Sequence, residues 1–291
     1  MKPRRGEKSA DRRVSVSPSH RVPLAASRAV PLITLLTDFG ASDYFVGAVK
    51  GVILSQTPEA RIIDLTHEIP AHDIPAAAFT LLAAYQSFPK GTVHLAVVDP
   101  GVGSTRRGIA VAASQQFFVG PDNGIFSYIF ERESKFSVYE LNNETFFRKP
   151  VSPTFHGRDV FAPVAAALSD GIKPAKLGRK ITDPVKLAPL SPEKGDSRIL
   201  ARIIHIDRFG NCVTNITPEV LTREMIDAGA RLVVKGKEVT AFRNFFAEQT
   251  ASRVKLFALW GSAGFLEIAI SNRSAAKFLN VTRGEPVVVR I

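Results

Sequence analysis

The chain has 291 residues, 45% of them hydrophobic, which is enough apolar material for one large domain or two ordinary ones. Charged residues interrupt every apolar stretch before it reaches the roughly 18 to 20 residues of a membrane span, so we expect no membrane role. The single cysteine, Cys212, excludes an intramolecular disulfide and a cysteine-cluster metal site, and it fits a protein of the reducing cytoplasm.

The formal net charge of +11 is concentrated at the amino terminus. Residues 1–29 contain eight Lys or Arg and two acidic residues, so this segment carries +6 and the rest of the chain about +5. The segment is rich in Ser, Pro and Arg and lacks apolar periodicity, which predicts a disordered basic tail. A transit peptide or a polyanion-binding arm is the alternative hypothesis, and the interrupted apolar run before residue 30 is not that of a secretory signal.

Strands and helices alternate between residues 30 and 186. This alternation predicts an α/β domain with a mostly parallel sheet and flanking helices. The predicted strands span residues 31–37, 61–65, 92–98, 108–113 and 117–119, and the predicted helices span residues 44–55, 74–88 and 158–169.

The composition changes near residue 187. Residues 187–197 hold Pro, Gly and charged residues without a periodic apolar face, so we predict a linker there. Short β-rich runs separated by turn signals fill residues 198–291, which predicts a small β-barrel domain with Cys212 as a buried strand residue. The runs span residues 199–207, 212–216, 231–234, 254–260, 264–270 and 286–291.

Four groups of polar residues stand at the ends of predicted elements, where ordinary turn chemistry and binding sites both occur. The most informative is Asp99, because a buried strand ends there and a turn of Pro and two glycines leads on to Arg106. Asp159 falls in the first turn of a predicted helix, where a negative charge is favoured, so we expect a structural role for it. The four groups are Asp38, Asp99 with Arg106, His156 with Arg158 and Asp159, and Asp207 with Asn211.

Several familiar nucleotide sites are excluded. Residues 38–40 read Asp-Phe-Gly, but the glycine-rich loop and the catalytic loop of a kinase are missing. The glycines of residues 101–103 lack the third glycine of a dinucleotide fingerprint, and no P-loop sequence occurs.

The histidines and acidic residues that could bind a metal lack tight ligand spacing, so we expect no metal site. They are His67, His72 and His156 with Asp64 or Asp73.

Six motifs nevertheless occur in an order that is specific to one protein family. They are TDFG at 37–40, DLTHEIP at 64–70, DPGVG at 99–103 with Arg106, PDNG at 121–124, FHGRD at 155–159, and DRFGN at 207–211 with Thr214 and Asn215. The chain thereby resembles the S-adenosyl-L-methionine (SAM) hydroxide adenosyltransferases, relatives of the fluorinases and chlorinases, from about residue 32 to residue 291. The resemblance implies an N-terminal α/β domain, a C-terminal β-barrel, and a homotrimer whose active sites lie between neighbouring subunits.

The resemblance also implies a reaction. Water or hydroxide would attack the ribose 5′ carbon of SAM to give adenosine and L-methionine, with no metal or further cofactor. The catalytic Asp, Arg and His of the family fall on Asp99, Arg106 and His156. A guanidinium that holds a water lowers the cost of deprotonating it, and Asp99 and His156 either position that guanidinium or take the proton.

The substrate contacts of the family also map onto this chain. The halogenases have a tryptophan at the position of His72 and an arginine at that of Ala263. They also have uncharged residues at 99–103 and a long insertion that is absent here, so we do not expect halide use. The implied contacts are Asp38 with the ribose diol, His72 beside it, Asp207, Asn211 and Ser262 with the methionine moiety, and Asn272 near adenine.

Two other functional classes stay open at this point. A sensor that binds SAM or adenosine without turnover would use the same contacts. Loss of one of the three catalytic residues would favour a sensor, but all three are present. A nucleic-acid-associated protein acting through the basic tail would bind in a strongly salt-dependent way, and the rest of the chain offers no recognition motif for it.

Overall fold

The computed structural model describes residues 30–195, 197–248 and 256–291. The tail predicted over residues 1–29 and the first two residues of the strand predicted over 254–260 lie outside these ranges. The described residues form one sheet in each half of the chain, and the predicted combination of an α/β half and a barrel-like half is confirmed. No helix in the described ranges is both long and apolar enough to cross a membrane.

The N-terminal half contains a seven-stranded sheet with the order β2-β1-β3-β5-β4-β6-β7. The first four strands in this order are parallel, and the other three continue the sheet in antiparallel pairs. The parallel part contains the strand ends that carry Asp38 and Asp99. The strands are β1 (Leu32–Thr37), β2 (Arg61–Thr66), β3 (Val93–Val97), β4 (Gly108–Ala113), β5 (Gln116–Pro121), β6 (Phe136–Glu140) and β7 (Lys180–Ile181).

Helices cover both faces of this sheet because successive strand residues point to opposite sides. Leu35 packs into the apolar cluster on one face and Leu36 into the cluster on the other. The first cluster includes residues of α1 (Phe45–Gln56) and α4 (Ala162–Ser169), and the second includes residues of α2 (Ile74–Ala84) and α3 (Ser127–Arg132).

Two predicted helices differ from the structure at one end. The helix expected over residues 74–88 is α-helical only to Ala84, and a 3₁₀ turn over Tyr85–Ser87 completes it. The helix expected from residue 158 instead begins with a π-helical turn over Gly157–Phe161 and becomes α-helical at Ala162. Apolar periodicity does not distinguish these turns, since both continue an apolar face.

A buried polar pair lies between β1 and β3. His94 Nδ1 is 2.8 Å from Thr34 Oγ1, and neither residue is exposed. Burial lowers the pKa of His94 to about 4, with a smaller opposing effect of Gln116. The imidazole is therefore neutral at pH 7, and the pair is part of the core.

The C-terminal half forms a nearly closed antiparallel sheet with the order β12-β11-β15-β9-β10-β14-β13, and β8 pairs with β9. A bridge between Phe242 and Ala258 brings the two ends of this order together. Strand β12 and both short helices were not predicted, because each is only three to five residues long. The elements are β8 (Glu193–Lys194), β9 (Arg198–Ile206), β10 (Cys212–Thr214), α5 (Arg223–Asp227), β11 (Arg231–Val234), β12 (Lys237–Val239), β13 (Leu256–Trp260), β14 (Leu266–Ile270), α6 (Ala275–Leu279) and β15 (Pro286–Arg290).

One of the apolar clusters contains residues of both halves. Ile204, Val213 and Phe265 of the C-terminal half pack into the same cluster as α2 and α3. The Phe79 ring of α2 stacks on His205 with 4.8 Å between the ring centroids. Leu190, in the segment predicted to be a linker, is buried in this cluster as well.

Candidate active site

The ends of β1 and β3 bring two carboxylates to one edge of the sheet. Thr37 and Val97, the last residues of these strands, are partners in the parallel register. Asp38 follows Thr37 directly, and Asp99 stands two residues beyond Val97. This carboxyl edge of parallel strands is where open α/β sheets bind ligands.

The turn after Asp99 requires a glycine at one position. Gly103 has a φ of 78°, and a Cβ placed there would lie 2.3 Å from the carbonyl oxygen of Pro153. The backbone of this turn therefore packs directly against the loop that leads to His156. The contact places two motifs that are fifty residues apart in the sequence on one side of the cavity.

Asp99, Arg106 and His156 form one hydrogen-bonded cluster. Arg106 Nε donates to Asp99 Oδ1 at 2.8 Å, and its Nη2 donates to Oδ2. The same Nη2 lies 2.9 Å from His156 Nδ1. The side chains of Asp99 and Arg106 are only 6% and 12% exposed, so this bidentate ion pair is largely shielded from water.

The cluster fixes the protonation state of His156. A guanidinium nitrogen can only donate, so Nδ1 of His156 accepts and the neutral ring carries its proton on Nε2. Burial and the positive charge of Arg106 both lower the pKa of His156, and Asp99 and Asp159 oppose them in part. The imidazole is neutral at pH 7 and shares Nη2 of Arg106 with Asp99.

A fully buried carboxylate supports the His156 loop from behind. Asp159 accepts hydrogen bonds from Nε and Nη2 of Arg158 at 2.8 and 2.7 Å. It also accepts hydrogen bonds from Nη1 of Arg148 at 3.0 Å and from the backbone N–H of Ser152 at 2.9 Å. Burial alone would raise the pKa of Asp159, but these donors lower it to about 2. The structural role expected for Asp159 agrees with these contacts, and nothing in the sequence distinguishes Arg148 from an ordinary surface arginine.

The carboxylate edge opens into a cavity of about 300 Å³. Asp38, Asp99 and His156 line it together with His72, whose backbone N–H donates to Asp38 Oδ2 at 2.9 Å. His72 has a φ of 65°, so the chain reverses there toward the Asp38 carboxylate. Four of the residues singled out in the N-terminal half of the sequence thus meet in one cavity.

Aromatic side chains that the sequence analysis did not single out form the apolar wall of this cavity. Phe45 packs edge-on against Phe155, with 5.2 Å between the ring centroids, and Phe39 contacts both rings. The guanidinium of Arg106 also lies 5.2 Å from the ring centroid of Phe161. Phe155 directly precedes His156, and Phe161 lies five residues after it. Their closeness to His156 in the sequence was the signal that could have identified these two rings.

The site residues predicted in the C-terminal half do not line this first cavity. Asn211 and Asn272 line a second cavity of about 540 Å³ together with Phe209 and Phe246. Asp207 holds the loop beside it, since its two oxygens accept the backbone N–H and the side-chain amide of Asn211, each at 2.8 Å. No described residue lines both cavities.

Ser262 is placed apart from this group. It lies exposed in the turn between β13 and β14, whereas Asn272 follows the other end of β14. Ser262 is not among the described residues that line the second cavity. The structure therefore brings Asn211 and Asn272 together and leaves Ser262 at a separate strand end.

The structure also shows how the remaining candidate groups are arranged. Among the described residues, no cluster of three or more His, Cys, Asp or Glu side chains could hold a metal ion. Cys212 is a buried free thiol in β10, and burial together with Asp207 raises its pKa to about 12. A thiol with such a pKa is unreactive at pH 7, as expected for a structural cysteine.

Two family models match this chain over most of its length. The SAM hydroxide adenosyltransferase N-terminal domain matches residues 33–178, and the corresponding C-terminal domain matches residues 201–288. The chain belongs to the SAM hydroxide adenosyltransferase family. The predicted resemblance is thereby confirmed, and the unmatched gap between the two models contains the segment predicted as a linker.

Members of this family with curated names are similar to the chain over almost its whole length. The (R)-S-adenosyl-L-methionine hydrolase of Methanocaldococcus jannaschii is 37% identical over 86% of this chain and 92% of its own. The one from Thermus thermophilus is 35% identical over 88% and 98%. A fluorinase from Nocardia brasiliensis is 25% identical over 90% and 97%, so the named hydrolases are more similar than this halogenase.

A solved structure shows the same fold for this SAM hydroxide adenosyltransferase. An uncharacterized conserved protein from Thermotoga maritima superposes with a TM-score of 0.80 at 33% identity, covering 89% of this chain and 100% of the other. The arrangement of an α/β half and a barrel-like half is therefore shared by the two proteins.

Proposed function

We propose that this SAM hydroxide adenosyltransferase hydrolyses SAM to adenosine and L-methionine, and that its substrate is the (R) epimer at sulfur. The observation that carries the proposal is the Asp99–Arg106–His156 cluster beside the cavity at the parallel strand ends. Four relatives at 35 to 37% identity are named (R)-SAM hydrolases, which supports the choice of substrate.

The reaction suits a site of this kind. The oxygen of water forms a bond to the ribose C5′ while the C5′–S bond breaks, and the electron pair returns to sulfur to give the neutral thioether of methionine. One proton of the water is released. The sulfonium is already a good leaving group, so the protein needs only to orient the water in line and to keep bulk solvent away.

Arg106 and Asp99 would prepare the water. A positive guanidinium next to the water favours its hydroxide form, and the shielding of the cluster strengthens this effect. The single acceptor lone pair of His156 Nδ1 is already used by Arg106 Nη2. Asp99 has about four acceptor positions, and Arg106 uses two of them, so we assign the role of proton acceptor to Asp99.

Asp38 would hold the ribose. A carboxylate can accept from both hydroxyls of a diol, and the backbone N–H of His72 already orients one of its oxygens in the cavity. The apolar wall formed by Phe39, Phe45 and Phe155 would exclude water from the reacting carbon. The carboxylate that would bind the ribose therefore lines the same cavity as Asp99 and His156.

Purified protein is expected to convert (R)-SAM to equimolar adenosine and methionine in halide-free buffer, as quantified by chromatography. The Asp99→Ala variant should show no such products, and the (S) epimer should react more slowly. Tight binding of both epimers without products would contradict hydrolysis and support a sensor. Products from the (S) epimer alone would contradict the assignment of the epimer.

The proposal further includes a homotrimer with active sites between subunits, in the cytoplasm and without a cofactor. Its support is that Asp38 and His72 line one cavity of the chain whereas Asn211 and Asn272 line another, so a second chain would bring the two sets of predicted contacts together. The exposed rings of Phe209 and Phe246 at the second cavity are suited to burial against such a partner. The single buried cysteine supports a cytoplasmic location.

Mixing two inactive variants tests the shared site. Asp99→Ala inactivates the N-terminal part of a site and Asp207→Ala the C-terminal part, so mixed trimers would contain some sites with both parts intact. By random assortment, co-expression should restore about one quarter of wild-type activity per site, as measured by adenosine release. Activity no higher than that of either variant alone would contradict a site shared between subunits.

A further inference from the structure

His67 is a partly buried residue that the proposed reaction does not use, yet it lies beside the ribose carboxylate. It follows β2 directly, and β2 pairs with β1 so that Thr66 is opposite Leu36. His67 Nδ1 lies 2.8 Å from Thr37 Oγ1, and the His67 carbonyl oxygen accepts the backbone N–H of Gly40 at 2.8 Å. His67 therefore contacts the chain on both sides of Asp38.

His67 and its partner Thr37 each have a second polar neighbour. The Phe39 backbone N–H donates to Thr37 Oγ1 at 3.3 Å, so this hydroxyl contacts both the His67 ring and the backbone of the loop. His67 Nε2 lies 3.1 Å from Asp64 Oδ1. Lys50 Nζ donates to the other Asp64 oxygen at 2.6 Å.

These contacts constrain the short loop that carries Asp38. Residues 38–40 leave the sheet at the end of β1, and Gly40 adopts a φ of 67°. Within the described ranges, the Asp38 side chain receives one hydrogen bond, from the His72 backbone. The position of its carboxylate therefore depends on the backbone of residues 37–40, which His67 holds through Thr37 and Gly40.

We propose that His67 is a positioning residue that acts through Thr37 to hold Asp38 in the geometry that binds the ribose diol. The inference rests on the proposed function, because Asp38 is assigned to the ribose there. A positioning residue for a ground-state contact affects the affinity for ligands that carry the diol and leaves other ligands unaffected. Adenosine and 2′,3′-dideoxyadenosine, which differ only in this diol, are the two probes.

The chain offers a matched control for the key hydrogen bond. Thr37 and Thr34 are both buried in β1, and each hydroxyl lies 2.8 Å from a histidine Nδ1, of His67 and His94 respectively. Only Thr37 is next to Asp38. Thr37→Val and Thr34→Val each remove a hydroxyl that contacts a histidine, and comparing them separates a loss of positioning at Asp38 from a general loss of stability. Thr37→Val also removes the acceptor of the Phe39 N–H, whereas His67→Ala keeps that acceptor, so both variants are needed.

Titration calorimetry on the full-length protein measures the outcome. Thr37→Val and His67→Ala should each weaken adenosine binding about tenfold and leave 2′,3′-dideoxyadenosine binding unchanged. Thr37→Ser keeps the hydroxyl and should bind adenosine more tightly than Thr37→Val does, close to the wild type. Thr34→Val should bind both nucleosides like the wild type. With SAM as substrate, Thr37→Val should raise KM while kcat stays within about twofold.

Two other results would overturn the inference. Equal weakening of both nucleosides in Thr37→Val, or no weakening of either, would show that His67 does not act through the diol contact. Wild-type protein that releases no adenosine from (R)-SAM would overturn the proposed function itself, and this inference with it. The wild-type measurement therefore distinguishes the two failures.

Discussion

Arg106→Ala is expected to lower kcat for SAM hydrolysis by about 100-fold or more while the protein remains folded. Arg106 links Asp99 and His156 and is the positive group of the cluster. Its loss removes the charge that favours hydroxide and leaves Asp99 without its bidentate partner. Adenosine release at saturating SAM gives kcat, and a thermal unfolding curve reports the fold.

Two arginine variants serve as controls for this result. Arg106→Lys keeps the charge but cannot donate to both oxygens of Asp99, so it should recover only part of the activity. Arg107→Ala removes the neighbouring arginine, which is bound to Asp122 and Asp183, and should keep kcat within several-fold of the wild type. Near-normal kcat in Arg106→Ala would contradict the catalytic role of the cluster.

Asp159→Asn is expected to lower the free energy of unfolding by about 3 kcal/mol, because it breaks a buried ion pair on one side. Asp159 has no exposed surface, and it accepts hydrogen bonds from Arg158, Arg148 and Ser152. Both arginines keep partial contact with water, so the expected loss of stability is at the lower end of the range for one-sided removal of a buried ion pair. Urea unfolding at pH 7 measures the difference from the wild type.

The contribution of Asp159 should disappear in acid. Its pKa is about 2 in the folded protein against an ordinary value of 3.8, so the folded state favours the ionised form. The stabilisation is complete above pH 4 and is lost as the pH falls toward 2, so the variant and the wild type should converge there. Asp183→Asn, which removes an exposed partner of Arg107, should leave the stability almost unchanged at every pH. A pH-independent difference for Asp159→Asn would contradict the ion-pair explanation.

Much of the fold follows from local patterns in the sequence. Two parallel strands end shortly before Asp38 and Asp99, as their apolar runs indicate, and the β-rich second half forms the predicted barrel-like sheet. The π-helical turn over Gly157–Phe161 was missed because its apolar residues also fit an α-helix. Asp159 in this turn is held by Arg148 and Ser152, and a local apolar pattern does not indicate such polar contacts.

The site was only partly accessible from sequence for the same reason. Motifs at strand ends predicted which side chains carry the chemistry, and the structure brings Asp99, Arg106 and His156 within hydrogen-bond distance. Their roles stay predictions. The residues that orient them, such as His67, are recognisable only when distances are known, because their partners come from other strands.

The apolar cluster shared by the two halves has a consequence for how the chain unfolds. Phe79 of α2 and Phe265 of the barrel-like half pack within one cluster, and Arg283 pairs with Asp73 at the start of α2. Neither half can melt without exposing the apolar surface of the other. Heat denaturation should therefore be a single cooperative event rather than a stepwise loss of domains, and a chain cut near residue 190 would yield two aggregation-prone fragments.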